Sequence, residues 1–291
     1  KANLRGVISS PLGRVPKLLP NREVSSEGRV VRDLRGVNAF SPKERHPAVI
    51  TPTHQDIARK IVAEKLKWPG VPVLISKRDI DGAFKRVWWK LDEIGLFATD
   101  IEAQQLLREA YQEARADPEL WNDVTKELGA GVTKEVFMGL FTKLVNTLLV
   151  LEFGYSGSPG RFGQFGDAAE KATEKHAPAD ARRDGPDPFF LRTWVDDGVN
   201  VEPFLGIRPY LGVRAYEENV RGLLGEDAIN DEKMQVEGET AEQTLAWGIE
   251  IDTREDAFSL PELKFQKAQW LLSQPEYRWG NKRITRLSVQ V

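Results

Sequence analysis

Apolar and polar positions alternate along this chain with two periods, and the period switches repeatedly. Residues 1–45 set short apolar runs between Gly and Pro, such as Gly6-Val7-Ile8 and Val15-Pro16-Lys17-Leu18-Leu19, which predicts strands and turns. At 53–66 the spacing becomes helical, with Ile57, Ile61, Val62 and Leu66 read as one inward face and Thr53 as N-cap. Val71-Pro72-Val73-Leu74-Ile75-Ser76 is a continuous apolar run, predicting a buried strand that leads to Asp79. Val87-Trp88-Trp89-Lys90-Leu91 predicts another. Residues 100–128 return to helical spacing: Ile101, Leu106, Leu107, Ala110, Tyr111 and Ala114, then Asp117-Pro118-Glu119 opening a helix with Leu120, Trp121, Val124 and Leu128. Residues 136–153 read as strand, 161–176 as helix and 177–188 as a polar, Pro-rich loop. Beyond them, 210–224 and 262–273 read as helices, and 234–236 and 245–251 as strands.

Between those last groups, Phe189, Phe190, Leu191, Trp194, Val195 and Val199 predict two strands bent at Asp196-Asp197-Gly198. Asp and Gly are ordinary turn formers, so this tripeptide alone is an ordinary turn. Two adjacent carboxylates in an apolar run are nevertheless costly without a compensating cation. Asp79 is a third acid in the same setting. Three carboxylates at the ends of apolar strands point to a divalent-cation site.

Composition narrows the chemistry. The 291 residues contain no Cys, which excludes disulfides, thiolate zinc sites and cysteine nucleophiles. His46, His54 and His176 are scattered, so a histidine metal site is not expected. No apolar run approaches the roughly 20 residues of a membrane helix, and Lys1-Ala2-Asn3-Leu4-Arg5 does not open a signal peptide, so an intracellular protein with no membrane partner is expected. The start without Met and the end in a helix-like segment read as a fragment of a longer polypeptide. Charge is unevenly spread: residues 1–90 hold 19 Lys and Arg against 8 Asp and Glu, while 91–135 hold 4 against 11. A basic third beside acidic remainder fits a polyanion-binding surface near an acidic, cation-binding site.

In chain order these features resemble the reverse transcriptase family, most nearly its gypsy-type and DIRS-type retrotransposon branch. Ser10-Pro11-Leu12-Gly13-Arg14-Val15-Pro16-Lys17 is similar to the opening fingers strand, and Arg29-Val30-Val31-Arg32-Asp33-Leu34-Arg35-Gly36-Val37-Asn38 to the basic fingers motif. Ser76-Lys77-Arg78-Asp79-Ile80-Asp81-Gly82-Ala83-Phe84 resembles motif A, Phe153-Gly154-Tyr155-Ser156-Gly157-Ser158-Pro159 motif B, and Trp194-Val195-Asp196-Asp197 motif C. Lys233 falls at the motif D lysine, Leu245-Ala246-Trp247-Gly248-Ile249-Glu250-Ile251-Asp252 resembles the primer-grip hairpin, and Leu260-Pro261-Glu262-Leu263-Lys264 the start of the thumb. The pattern departs from the family in Trp194, where a Tyr or Phe is usual, and in the long stretch between Asp79 and Ser158.

The resemblance implies an α+β, right-hand polymerase fingers-palm with a ferredoxin-like palm, a helical insertion and a truncated thumb. Its parts would be fingers over 1–75, the first palm strand over 76–99, the insertion over 100–135, fingers and palm over 136–255, and the thumb start over 256–291. It implies RNA-directed DNA polymerase activity with two Mg2+ or Mn2+ ions as cofactors. Asp79 and Asp196 would ligate both ions, with Asp197 as a secondary ligand or electrostatic contributor and the Ile80 carbonyl within reach of one, and Lys233 would be the general acid. Arg29, Ile80, Phe84, Phe153 and Gly154 would contact the dNTP, and Trp194, Trp247 and Gly248 the primer. Partners would be an RNA or DNA template-primer and, through the acidic 100–128 segment, a protein. An RNA polymerase or terminal transferase on the same palm, and a domesticated non-catalytic scaffold, remain alternatives.

Overall fold

The computed structural model describes residues 7–18, 24–101, 103–139, 144–178, 187–274 and 277. It is an α+β protein whose chain divides into two compact units, Lys1–Ala48 with Phe84–Arg161, and Val49–Ala83 with Phe162–Val291.

The second unit is built on a three-stranded antiparallel sheet. Its central strand, Asp197–Pro203, lies between Val73–Asp79 and Leu191–Trp194. Strand side chains alternate between faces, and here one face is apolar while the other carries Ser76, Asn200 and Glu202. Val73, Ile75, Val199 and Val201 pack on Ile57 and Ile61 of the helix His54–Lys67, together with Ala246 and Ile251. The opposite face carries the helix Arg208–Leu224: Arg208 reaches Glu202, and Tyr216 lies against Gly198. A second sheet joins Gln243–Ala246, Ile249–Asp252 and Ala257–Ser259. Its first turn, Trp247-Gly248, has positive φ at both residues (48° and 79°), the backbone that a two-residue type I′ hairpin requires.

Helix 54–67 begins as expected, since the Asp56 carboxylate accepts from the Thr53 backbone N–H and hydroxyl. Its inward face is different from the one expected. Ile57, Ile61 and Glu64 are buried, whereas Val62 and Leu66 are 55% and 77% exposed. At 100° per residue Val62 and Leu66 lie on the far side from Ile57, and Glu64 is admitted because Lys60 pairs with it at 2.5 Å.

The first unit holds the hairpin Leu12–Leu18/Val24–Arg32, a short helix Arg35–Phe40, and the antiparallel pair Ala98–Ile101/Leu144–Thr147. Its centre is aromatic: Trp89 stacks on Phe97 at 4.5 Å, and Tyr155 meets Phe97 edge-on at 5.0 Å. The 100–128 segment forms two helices, Ala103–Ala116 and Pro118–Leu128, the second capped by the Asp117 carboxylate. Tyr111 packs edge-on against Trp121 (5.8 Å) and against Phe137 (5.4 Å).

Three expected strands take another form. Residues 134–139 are helical, because Thr133 caps them by accepting the Val136 N–H, and among the described residues of the expected 136–153 strand Leu144–Thr147 forms a strand and Val150 an isolated bridge. Residues 87–91 contribute a single bridge, Trp88 to Val150, after the 3-10 turn Ala83–Arg86. Residues 234–236 belong to the helix Asp231–Glu237, whose N-cap Asn230 accepts from the Lys233 N–H.

Candidate functional site

The register of the central sheet collects the three acids. Asp79, the last residue of its strand, pairs with Asp197, the first residue of the central strand. The neighbouring hairpin pairs Trp194 with Asp197, so the turn is Val195-Asp196 and not Asp196-Asp197-Gly198. Gly198 serves instead for close approach, since a Cβ there would lie 2.4 Å from the Tyr216 ring. The tight turn holds Val195 at φ 54°, unusual for a β-branched residue and the kind of strain that concentrates at functional sites. The Asp196 carbonyl accepts the Ile80 N–H at 2.7 Å, which closes the cluster from the other side. Asp196 is exposed, while Asp79 and Asp197 are half-buried.

Two lysines face these carboxylates. Lys233 Nζ donates to Asp79 Oδ1 at 2.7 Å, and the Asn230 N–H donates to the Asp79 carbonyl at 3.0 Å. Hydrogen bonding to Asp79 raises the Lys233 ammonium pKa above its ordinary value. The helix that carries Lys233 is tied at its other end, where Arg78 donates to the Gly238 carbonyl at 2.7 Å while pairing with Glu217. The second lysine, Lys77, lies 3.4 Å from Asp197 Oδ1. That oxygen is buried and accepts no hydrogen bond. Burial pushes the Asp197 carboxyl pKa up, Lys77 draws it back, and the like charges of Asp196 and Asp79 raise it further. Neither lysine contact is evident from composition; Lys77 is legible only once the register is known.

A divalent cation suits this donor set in kind: hard carboxylate oxygens, one of them buried without a hydrogen-bond donor, in mutual repulsion. Among the described residues, however, no three His, Asp or Glu side chains are grouped closely enough to hold a metal ion. Two of the acids are paired with ammonium groups instead, Asp79 with Lys233 and Asp197 with Lys77.

The residues expected at the primer gather nearby. Trp194 and Trp247 meet edge-on at 5.7 Å, and His54 lies against both at 6.4 and 5.9 Å. Trp247 Nε1 donates to the Asp197 carbonyl at 3.3 Å. Lys264, in the helix Glu262–Ser273, donates to the Gly248 carbonyl at 2.9 Å.

The residues expected at the nucleotide, Ile80 apart, belong to the other unit. Phe84 is buried against Phe153, with ring centroids 4.9 Å apart, and Phe153 keeps an exposed side. Gly154 has φ 88°, and Asn38 donates to its carbonyl at 2.8 Å while accepting the Ser156 N–H at 2.9 Å. Asn38 thus clamps the loop that carries Phe153 and Gly154, a role the sequence alone does not assign. Arg29 sits in its strand opposite Val15, but its side chain lies outside the described residues. Arg32, three residues on, is buried and donates to the Phe97 carbonyl at 2.5 Å and to Glu152 at 3.3 Å.

No family model matches the sequence, and no curated protein matches it. Among solved structures the chain is similar to a foamy viral protease-reverse transcriptase in complex with double-stranded DNA, at 16% identity and a TM-score of 0.49. The likeness covers 90% of this chain and 32% of that one, so the chain spans about a third of its length. Among the described residues no helix is long and apolar enough to cross a membrane.

Proposed function

We propose that the chain is the fingers-palm part of an RNA-directed DNA polymerase of the retroelement kind, with a ferredoxin-like palm that adds deoxynucleotides to a primer 3′-end. One observation carries this reading. Asp79 and Asp197 are cross-strand partners, and the Asp196 carbonyl accepts the Ile80 N–H, so three acidic residues lie at one sheet end.

In this reading Asp79, Asp196 and Asp197, with the Ile80 carbonyl, are the residues that would hold two Mg2+ or Mn2+ ions. The ions would lower the pKa of the primer 3′-hydroxyl and neutralise charge on the triphosphate. Lys233, whose Nζ already reaches Asp79, would give a proton to the departing pyrophosphate. Trp194 and Trp247 would support the primer end by stacking, with Gly248 turning the hairpin beneath it. Phe84, Phe153 and Gly154 would shape the pocket for the dNTP, and Arg29 would meet its phosphates. The acidic helices 103–128 repel polyanions and would take a protein partner instead.

Primer extension on a homopolymer RNA template with Mg2+ or Mn2+ tests the proposal. Wild type should extend with dNTPs, and Asp196→Asn should lose extension while its circular dichroism and melting stay unchanged, because Asp196 is exposed at a turn. Wild-type inactivity with intact template-primer binding would refute it. That result is the one expected of a non-catalytic nucleic-acid scaffold, a second reading with one observation in its favour: Asp79 and Asp197 already have ammonium partners.

A further inference from the structure

We propose that Glu170, on the helix Ser158–Lys175, is a positioning residue for the acid turn: it stands in for a neighbour strand and fixes the strand that leads into Val195-Asp196. The inference rests on the polymerase reading above and deepens it, by adding a residue that lies outside every sequence motif.

Hydrogen-bond alternation defines the need. The strand Leu191–Trp194 is the outer strand of its sheet, with the central strand on one side only. In an antiparallel pair, opposed residues alternate between exchanging both backbone bonds and exchanging none. The two-residue turn closes on the Trp194–Asp197 pair, and at the far end the Val201 N–H donates to the Phe190 carbonyl. Thr193, opposite Gly198, therefore falls on a pair without backbone bonds, and its N–H points away from the sheet. A half-buried N–H on a sheet edge needs another partner.

Glu170 is that partner. Its Oε1 accepts the Thr193 N–H at 2.6 Å and the Thr193 hydroxyl at 2.9 Å. Its side chain is 18% exposed, and its other oxygen lies 3.5 Å from Arg192 Nη1. Gly166, one turn earlier on the same side of the helix, permits the approach, since a Cβ there would lie 2.7 Å from Thr193 Oγ1. A carboxylate and a glycine thus seat the helix on the strand edge.

The residue opposite Thr193 is held from the same side. Cross-strand partners share a sheet face, and Gly198 lies under the Tyr216 ring. Asn219, on the helix that carries Tyr216, donates to the Thr173 hydroxyl at 3.2 Å and ties the two helices together. Both strands of the hairpin are therefore gripped at the pair directly behind Trp194 and Asp197. The grip is on the face opposite to the Asp79 and Asp197 side chains, so it bears on the turn without crowding the acids.

Hydrogen exchange of the Thr193 amide, resolved by fragmentation mass spectrometry, and steady-state primer extension test this on the whole chain. In Glu170→Met the amide should lose its protection. Its kcat for extension should fall about 10- to 100-fold with KM for dNTP little changed, the scale of a small misplacement remote from the chemistry. Glu170→Gln should restore both, because one amide oxygen can accept both bonds. Gly166→Ala should also lower kcat, and adding Thr193→Ala should bring extension back to the level of Thr193→Ala alone, since the clashing hydroxyl is gone. That cycle decides the matter if Glu170→Met does not fold. Unchanged amide protection in Glu170→Met, an equal defect in Glu170→Gln, or additive losses in the cycle overturns the proposal. Lost protection with wild-type kcat also overturns it, leaving the contact as stabilisation alone. If wild type extends no primer while the exchange pattern is as expected, the polymerase reading fails and the contact to Thr193 stands.

Discussion

Tyr216 places the edge of its phenol where a side chain at position 198 would stand, and its hydroxyl is buried without a hydrogen-bond partner. Burial, and then the charges of Glu170 and Asp197, push its pKa far above the ordinary phenol value, so it stays neutral. Two outcomes follow from that packing. Gly198→Ala should lower stability by about 1–3 kcal/mol, since the added methyl would lie 2.4 Å from the ring. Tyr216→Phe should leave stability unchanged or raise it by up to about 1 kcal/mol, because it removes an unsatisfied buried hydroxyl. Urea midpoints check both, and a destabilised Tyr216→Phe would mean that the hydroxyl has a partner. Phe84 offers a residue-scale test of function. Packed against Phe153, it has little freedom to yield to an extra oxygen on a bound sugar. Phe84→Val should raise ribonucleotide use relative to deoxynucleotide use, read as the ratio of rNTP to dNTP incorporation. An unchanged ratio would leave Phe84 as core alone and favour the RNA-polymerase alternative.

At the scale of elements, the helices 103–116 and 118–128 belong to a segment whose two flanks are neighbours. Ile101 pairs with Leu144, so the insertion leaves from and returns to a single strand end. Replacing residues 102–143 with a short Gly-containing turn should therefore keep the rest of the fold, since bridging adjacent ends costs little chain entropy. The check is the melting cooperativity of the shortened protein together with its Mn2+ binding. A molten product would show that Tyr111, Trp121 and Phe137 support more than their own cluster. These helices were legible because their stripes are long and Asp117 announces the second one. The helix at 231–237 reads as a strand from sequence because its apolar residues are only Met234 and Val236, while Asn230 followed by two acids is the cap signal that prevails in the fold. Gly198 misled in the opposite way. A glycine after two aspartates reads as a turn, yet it is present for Tyr216, a contact that exists only after a distant helix has docked. Lys77 was legible in neither sense, since a diagonal pair needs the register of two strands far apart in sequence.

For the whole molecule, the acids divide into two populations with opposite effects on stability. Burial raises the carboxyl pKa of Glu152, Glu170 and Glu202 above the ordinary 4.5, and Arg32, Thr193 and Arg208 only partly offset it. Asp33 and Asp252 are held at about 2 by hydrogen bonds from the exposed Arg35 and Arg254. A raised acid binds more protons folded than unfolded, so stability falls as pH rises from 4.5 through the folded value. A depressed acid contributes stability above 3.8, which is lost as pH falls toward 2. The surface pairs contribute little, because solvent screens them, so the buried glutamates should set the slope above 4.5. Stability should thus be greatest near pH 4.5 and decline as pH rises above it. Urea midpoints measured from pH 3 to pH 8 check this, and Glu202→Gln should flatten the declining limb by removing one titrating group. A wild-type midpoint that climbs steadily from pH 5 to pH 8 would mean that the arginine pairs outweigh burial, and that the three glutamates are ionised in the folded protein at no cost.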